Sequence, residues 1–149
     1  MTVWVAYSDP DKLDCWWGPK GFPTRVTSLD FRDGGTFIYA MNFPGHPPIH
    51  GKWIYRKIRP PERLVADVSF CDAEGIPVRH PMVPDWPLTM RVASTFSEKD
   101  GGTEITSVVT LPNATDDERR IFDEHRQNMI QGFNGTYDQL DAYLSGADR

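Results

Sequence analysis

The 149-residue sequence contains only two cysteines, no long hydrophobic run and no cluster of lysines or arginines. Cys15 and Cys71 occur in no spacing typical of a metal site, so we interpret them as reduced, partly buried thiols. No apolar stretch approaches the roughly 20 residues that cross a bilayer, and no signal-peptide pattern follows Met1. We therefore expect a cytoplasmic protein with no membrane partner.

The charge balance argues against a nucleic-acid partner. Sixteen Lys and Arg stand against 21 Asp and Glu, which gives a formal net charge of −5. Binding to nucleic acid depends on basic side chains that neutralise phosphates, and such a cluster is missing. No repeat or low-complexity tract divides the chain, and its length suits one hydrophobic core. We expect residues 1–149 to form a single domain.

The sequence also lacks a motif for a cofactor, a metal or covalent catalysis. His46 and His50 are four residues apart in a proline-rich loop, where that spacing does not place them on one helix face. The turn Asp33-Gly34-Gly35-Thr36 leads into a strand and not into a helix, so it does not form a phosphate-binding loop. No nucleophile with a helper residue is recognisable. We expect no cofactor, no metal and no catalytic residues.

The N-terminal residues predict two short helices. The first covers the apolar run Val3–Tyr7. The second begins near Pro10, with Ser8 or Asp9 as its cap, and runs to about Trp17. Gly18-Pro19 should end it, because proline cannot continue the helical hydrogen-bond ladder.

The middle of the chain predicts about six antiparallel strands. Apolar and polar residues alternate from Thr24 onwards, and the segments are separated by turns such as Asp33-Gly34-Gly35 and Pro60-Pro61. Another loop, Phe43–Pro48, is rich in proline. Residues 72–87 contain four prolines, so we interpret this stretch as a long loop without a strand.

The C-terminal residues predict one long amphipathic helix. Thr115 is placed to cap it, and the carboxylates of 116–118 suit the positive end of the helix dipole. Apolar residues then recur every three or four positions until Ser145-Gly146. This helix is the only element long enough to cover a sheet of six strands, so the predicted fold class is α+β.

Several short motifs follow one another along the chain: Trp16-Trp17-Gly18-Pro19, Gly21-Phe22, Asp30–Gly35, Pro60–Leu64, Gly132-Phe133 and Leu140. Taken together in this order, they resemble the activator of heat-shock ATPase homologue (AHSA) family of the START-like, Bet v 1-like (SRPBCC) superfamily. The resemblance implies a helix-grip fold, in which an antiparallel sheet wraps around a long C-terminal helix and leaves a cavity for an apolar small molecule. It also implies a co-chaperone or regulator role with a chaperone as partner.

The sequence departs from this family in two places. Members generally begin with a strand, whereas Val3–Tyr7 already resembles the first helix, so the first edge strand is apparently missing. An uncovered strand edge invites pairing with another chain, which predicts a homodimer. The second departure is the long loop Glu74–Pro87, whose role as a lid stays open.

A set of inward-facing side chains predicts the ligand site. Alternation places apolar residues on one face of the strands, although the parity of the strand containing Trp53 is ambiguous, and the helix stripe adds three more. The partner predicted for this set is a small hydrophobic or aromatic molecule. The candidate ligand-binding residues are Phe37, Tyr39, Trp53, Met90, Val92, His125, Met129 and Phe133.

Some of these residues have other interpretations. His125 is either a partly buried structural histidine or a group that orients a ligand, and His125 or Tyr39 would be the acid or base of a cyclase- or hydrolase-like enzyme. Trp86, with Pro84 and Pro87, would supply the surface patch of a regulator. Gly132 and Gly135 interrupt the helix either for close packing against Trp16 or Trp17, or to leave room for a ligand beside Phe133.

Overall fold

The computed structural model describes residues 2–18, 24–42, 44–80 and 83–146. Two short helices come first, followed by seven strands and two C-terminal helices, an α+β arrangement. The elements are α1 (Thr2–Ser8), α2 (Pro10–Trp16), β1 (Thr24–Leu29), β2 (Thr36–Met41), β3 (Ile49–Arg59), β4 (Arg63–Cys71), β5 (Pro77–Val78), β6 (Met90–Lys99), β7 (Gly102–Thr110), α3 (Asp116–Glu124) and α4 (Arg126–Leu144).

The strands form one open antiparallel sheet in the order β1-β2-β3-β4-β6-β7, with β1 and β7 at its ends. This sheet and the long C-terminal helix make a helix-grip fold. The prediction that residues 72–87 contain no strand was wrong, because β5 pairs with the end of β4 through Phe70 and Cys71. A strand of two residues is too short for periodicity to reveal, and Pro77 at its start concealed it further.

The two N-terminal helices fill one end of the concave face of the sheet. Asp9 caps α2 by accepting a hydrogen bond from Asp11 N, so of the two predicted caps Asp9 is the one used. Trp16 is fully buried, and its indole nitrogen donates to Ala6 O of the preceding helix at 3.1 Å. Just past the helix end, Trp17 contacts the rings of Phe37, Tyr39 and Trp53 edge-on. An aromatic core therefore ties these helices to β2 and β3.

The predicted single C-terminal helix is two helices that meet at His125. Thr115 caps α3 as predicted, and Glu118 completes a capping box with it. At His125 the backbone leaves helical geometry, with φ −101° and ψ 11°, and the imidazole Nδ1 lies 3.0 Å from Ile121 O. The prediction of an uninterrupted helix was wrong because the apolar stripe continues through the break, so periodicity does not register it.

Helix α4 lies over the sheet but stands away from it. The close backbone neighbours of α4 lie mainly in α2 and α3 and not in the strands. Its buried residues, Thr136, Gln139 and Leu140, lie towards its C-terminal end. The N-terminal part of α4 is thus separated from the strands, and the space between them is the cavity described below.

A buried carboxylate holds the outer face of the sheet together. Asp67 of β4 is 5 % exposed and accepts hydrogen bonds from Arg56 Nε at 2.7 Å and Arg91 Nε at 2.8 Å. Burial raises the pKa of Asp67, but the hydrogen bonds from the two guanidinium groups outweigh burial and hold this pKa below its usual value of 3.8. The ionised form is therefore the one that stabilises the fold.

We expect Asp67→Asn to lower the free energy of unfolding by about 1–2 kcal/mol at pH 7, because the amide has one acceptor oxygen in place of two and no negative charge to attract the guanidinium groups. The pKa of Asp67 is lower in the folded protein than in the unfolded chain. The stabilisation that ionised Asp67 provides is therefore fully present above its pKa in the unfolded chain, and it is lost as the pH falls through its pKa in the folded protein. Urea unfolding at pH 7 and pH 3 measures both effects. Asp30→Asn, in an exposed pair with Arg32, is the control and should change stability by less than about 0.5 kcal/mol. Equal losses of stability in the two variants would contradict the stabilising role of the buried Asp67 carboxylate.

Some predictions concern residues outside those described. Pro19, Gly21 and Phe22 of the family motifs, Phe43 of the proline-rich loop and Pro81 of the long loop belong to this group. Among the described helices, none is long and apolar enough to span a bilayer.

Candidate functional site

A cavity of about 440 Å³ lies between α4, the concave face of the sheet and the loop that leads into β6. Its walls are formed mainly by aromatic and other apolar side chains. The lining residues are Tyr7, Trp17, Gly18, Tyr39, Met41, Gly51, Trp53, Val68, Ser69, Phe70, His80, Val83, Trp86, Pro87, Met90, Ser94, His125, Asn128, Met129, Gly132, Phe133, Thr136 and Tyr137.

One face of α4 forms the long wall of the cavity. His125, Met129, Gly132, Thr136 and Tyr137 recur at helical spacing and all line it. Tyr137 is twelve residue steps beyond His125, which corresponds to about 18 Å along the helix axis. The cavity therefore has two distinct ends, one beside the helix break and one beside Tyr137.

The opposite wall is aromatic and belongs to β2, β3 and the end of α2. Tyr39 lies directly across from Gly51 on the neighbouring strand, and a Cβ at Gly51 would come within 2.3 Å of Tyr39 Cζ. Burial raises the pKa of Tyr39 to about 12, although the indole N–H groups of Trp53 and Trp17 lower it in part. The indole nitrogen of Trp53 is buried without a well-aligned hydrogen-bond partner among the described residues, with the Tyr39 hydroxyl as its polar neighbour.

The loop before β6 closes the end of the cavity near the helix break. The Trp86 ring packs against Phe122 and His125, with centroid distances of 5.5 and 6.1 Å, and lies 6.3 Å from His80. Arg79 anchors this loop by an ion pair with the buried carboxylate of Glu118. The Thr115 backbone N–H and the Arg79 guanidinium together hold the pKa of Glu118 below its usual range. The loop is thus fastened to α3 by one ion pair and one aromatic contact.

The histidine on this loop is held in its neutral form. His80 Nδ1 accepts a hydrogen bond from Val83 N at 3.1 Å, which leaves the ring proton on Nε2. Burial, and then the proximity of His125, lower the pKa of His80. Neither effect favours the imidazolium, so His80 adds no positive charge to the cavity at pH 7.

A chain of hydroxyl groups occupies the other end of the cavity. Ser94 Oγ lies 2.8 Å from Ser107 Oγ, and Ser107 Oγ lies 2.7 Å from the Tyr137 hydroxyl. The Tyr7 hydroxyl is a close polar neighbour of Tyr137 at the end of this chain. We call these four residues the hydroxyl cluster. Burial raises the pKa of both tyrosines, so the cluster is uncharged at neutral pH.

The lining contains no Asp, Glu, Lys or Arg among the described residues. In the same part of the chain, no group of three His, Cys, Asp or Glu side chains is close enough together to hold a metal ion. A cavity of this size, mostly aromatic with a few polar groups, suits a small uncharged molecule. Among the described residues, the geometry provides burial and hydrogen bonding to such a molecule.

Six of the eight predicted ligand-binding residues line the cavity: Tyr39, Trp53, Met90, His125, Met129 and Phe133. Phe37 and Val92 do not, and for these two the structure corrects the prediction. Both are 2 % exposed in the hydrophobic core. Alternation identifies the inner face of a strand, but it does not reveal that Trp17 packs over Phe37 and removes it from the cavity.

Other lining residues were not predicted as ligand-binding. Tyr7 and Trp17 belong to the N-terminal helices, whose packing over the sheet has no signal in local periodicity. Gly51 and Ser94 occupy inward strand positions, but neither is apolar enough to mark a site. Trp86 was assigned to a surface patch, whereas it packs inward against α3 and the helix break.

Gly132 lines the cavity. A Cβ built at this position would meet no heavy atom within 4 Å. Close packing against Trp16 or Trp17 therefore does not explain this glycine. The open space beside Gly132 agrees with the other interpretation, room for a ligand next to Phe133.

Comparison with known proteins gives a consistent family and fold. The family model described as "Activator of Hsp90 ATPase homolog 1-like protein" matches residues 1–145. The crystal structure of protein Ms6760 from Mycobacterium smegmatis is 29 % identical with a TM-score of 0.78, and the match covers 99 % of this chain and 85 % of that one. A solution structure of a protein from Arthrobacter aurescens is 26 % identical with a TM-score of 0.78, covering 97 % and 78 %.

A more distant structure supports the fold alone. The AHSA1 protein from Silicibacter pomeroyi is 20 % identical with a TM-score of 0.68, and the match covers 97 % of this chain and 88 % of that one. Comparison with curated proteins found no match.

Proposed function

Because the chain belongs to the family of activator of Hsp90 ATPase homolog 1-like proteins, we propose that it holds a small apolar or aromatic molecule between its sheet and α4 and does not transform it. One observation carries this proposal: a cavity of about 440 Å³ whose described lining is aromatic and free of carboxylates, lysines and arginines. Tyr39, Trp53, Met90, His125, Met129 and Phe133 are the predicted contacts that border it.

The alternatives are less well supported by the contacts in the structure. The pKa of Tyr39, raised to about 12, means that this hydroxyl keeps its proton at neutral pH, which argues against a role as a base. Trp86 is half-buried and packs inward, so it is a weak anchor for a chaperone-binding patch. The homodimer stays a prediction, supported by β7 as an end strand of the sheet; light scattering in solution measures it.

Binding is testable with N-phenyl-1-naphthylamine, an uncharged aromatic probe that fluoresces in apolar surroundings. We expect saturable fluorescence and a concentration-dependent rise in the melting temperature, because a ligand that binds only the folded state stabilises it by mass action. Gly132→Leu should abolish both signals, since its side chain extends into the cavity. Leucine also has a higher helix propensity than glycine, so the variant should remain folded.

Gln131→Leu is the matched control. It adds the same side chain at the neighbouring, exposed helix position, which lies outside the cavity lining. We expect this variant to bind the probe like the wild-type protein. No saturable signal from the wild-type protein, or equal binding by Gly132→Leu, would contradict the proposed function.

A further inference from the structure

We propose that the hydroxyl cluster is the specificity-determining end of the cavity, and that it selects an uncharged aromatic ligand carrying one hydroxyl or carbonyl group. This inference rests on the proposed function and names the class of ligand. Three members of the cluster, Tyr7, Ser94 and Tyr137, line the cavity, and Ser107 connects two of them.

The hydrogen bonds within the cluster leave capacity for a partner. Four hydroxyl groups carry four protons, and the two bonds that link Ser94, Ser107 and Tyr137 use two of them. Each oxygen also has two lone pairs, so several acceptor sites remain. A ligand group that both accepts and donates, such as a hydroxyl, can therefore be satisfied here. A carbonyl can accept one of the remaining protons.

The position of the cluster sets the orientation of the ligand. Tyr137 lies about 18 Å along α4 from His125, and the wall between them is formed by Met129, Gly132 and Phe133. An aromatic body would lie along this apolar wall, with its polar group directed at Tyr137. The loop carrying Trp86 would then cover the opposite, apolar end.

The same geometry discriminates against ions. Among the described residues, no charged carboxylate, ammonium or guanidinium lines the cavity, and His80 is held neutral. An ionic ligand would lose its hydration without gaining a counter-charge, which is strongly unfavourable. The cavity should therefore reject anions of the same shape as an accepted neutral ligand.

Three naphthalene compounds of similar shape test this inference by isothermal titration calorimetry. We expect 2-naphthol to bind about fivefold more tightly than naphthalene, the range of one net hydrogen bond, and naphthalene-2-sulfonate to bind most weakly. In a purely apolar cavity this order would be reversed for the first two, because the hydroxyl would lose its hydration without compensation.

Variants connect the preference to the cluster. Tyr137→Phe and, independently, Ser94→Ala should remove the preference, so that each variant binds 2-naphthol no more tightly than it binds naphthalene. Tyr143→Phe, on the same helix but outside the cavity lining, should keep the preference. If naphthalene binds wild-type protein as tightly as 2-naphthol, or if both cluster variants keep the preference, the inference is overturned while the proposed function stands. If neither neutral compound binds, both fail.

Discussion

Replacement of Trp16 by alanine is expected to lower the free energy of unfolding by about 3–5 kcal/mol, the range for deleting a large buried aromatic side chain. Trp16 is 0 % exposed and contacts both Tyr7 and Trp17. Its indole N–H also satisfies Ala6 O, a carbonyl close to the end of α1. The substitution would therefore leave a cavity and an unpaired carbonyl at the same time. Urea unfolding followed by tryptophan fluorescence and circular dichroism measures the loss.

Trp16→Phe separates the two contributions. Phenylalanine keeps most of the apolar contact but cannot donate to Ala6 O, so we expect a smaller loss of about 1–2 kcal/mol. A loss below 1 kcal/mol for the alanine variant would mean that the N-terminal helices are not an integral part of the core.

Gly51→Ala is expected to destabilise the protein by about 1–3 kcal/mol, the usual cost of overpacking a well-filled site. The added methyl group would lie 2.3 Å from Cζ and 2.4 Å from the hydroxyl oxygen of Tyr39. The Tyr39 ring cannot give way towards the core, where Phe37 and Trp17 already contact it. The displaced ring would move into the cavity and weaken binding of N-phenyl-1-naphthylamine.

A double-mutant cycle identifies the cause. In a Tyr39→Ala background the obstructing ring is absent, so Gly51→Ala should have almost no further effect on stability. The coupling free energy between the two sites should then equal most of the cost of the single Gly51 substitution. Additive effects would show that Gly51 is required for a reason other than its contact with Tyr39.

Local patterns in the sequence predict most of the elements, because each depends on a short-range signal. Thr115 precedes three carboxylates, and this pattern alone predicts the start of a helix. The capping box between Thr115 and Glu118 confirms that prediction. The alternation of Phe37, Tyr39 and Met41 predicts a strand whatever it pairs with. The break at His125 has no such signal, because it depends on a backbone conformation that the apolar stripe conceals.

The site is harder to predict because it depends on contacts between distant segments. Alternation shows which residues of β2 point inward. Whether an inward residue belongs to the hydrophobic core or lines the cavity depends on where Trp17 packs. The hydroxyl cluster joins α1, β6, β7 and α4, and none of its members is unusual in its own segment. His125 was predicted to face the cavity because it belongs to the helical stripe, and it is among the lining residues.

The distance that α4 keeps from the strands would link the stability of the chain to occupation of its cavity. Apolar surface on that helix and on β2 and β3 is left without the contacts that a filled interior would supply. A bound molecule of the proposed class would provide these contacts and so complete the packing of the hydrophobic core. The resistance of the protein to proteases, and with it the protein's half-life, would then increase with the concentration of that molecule.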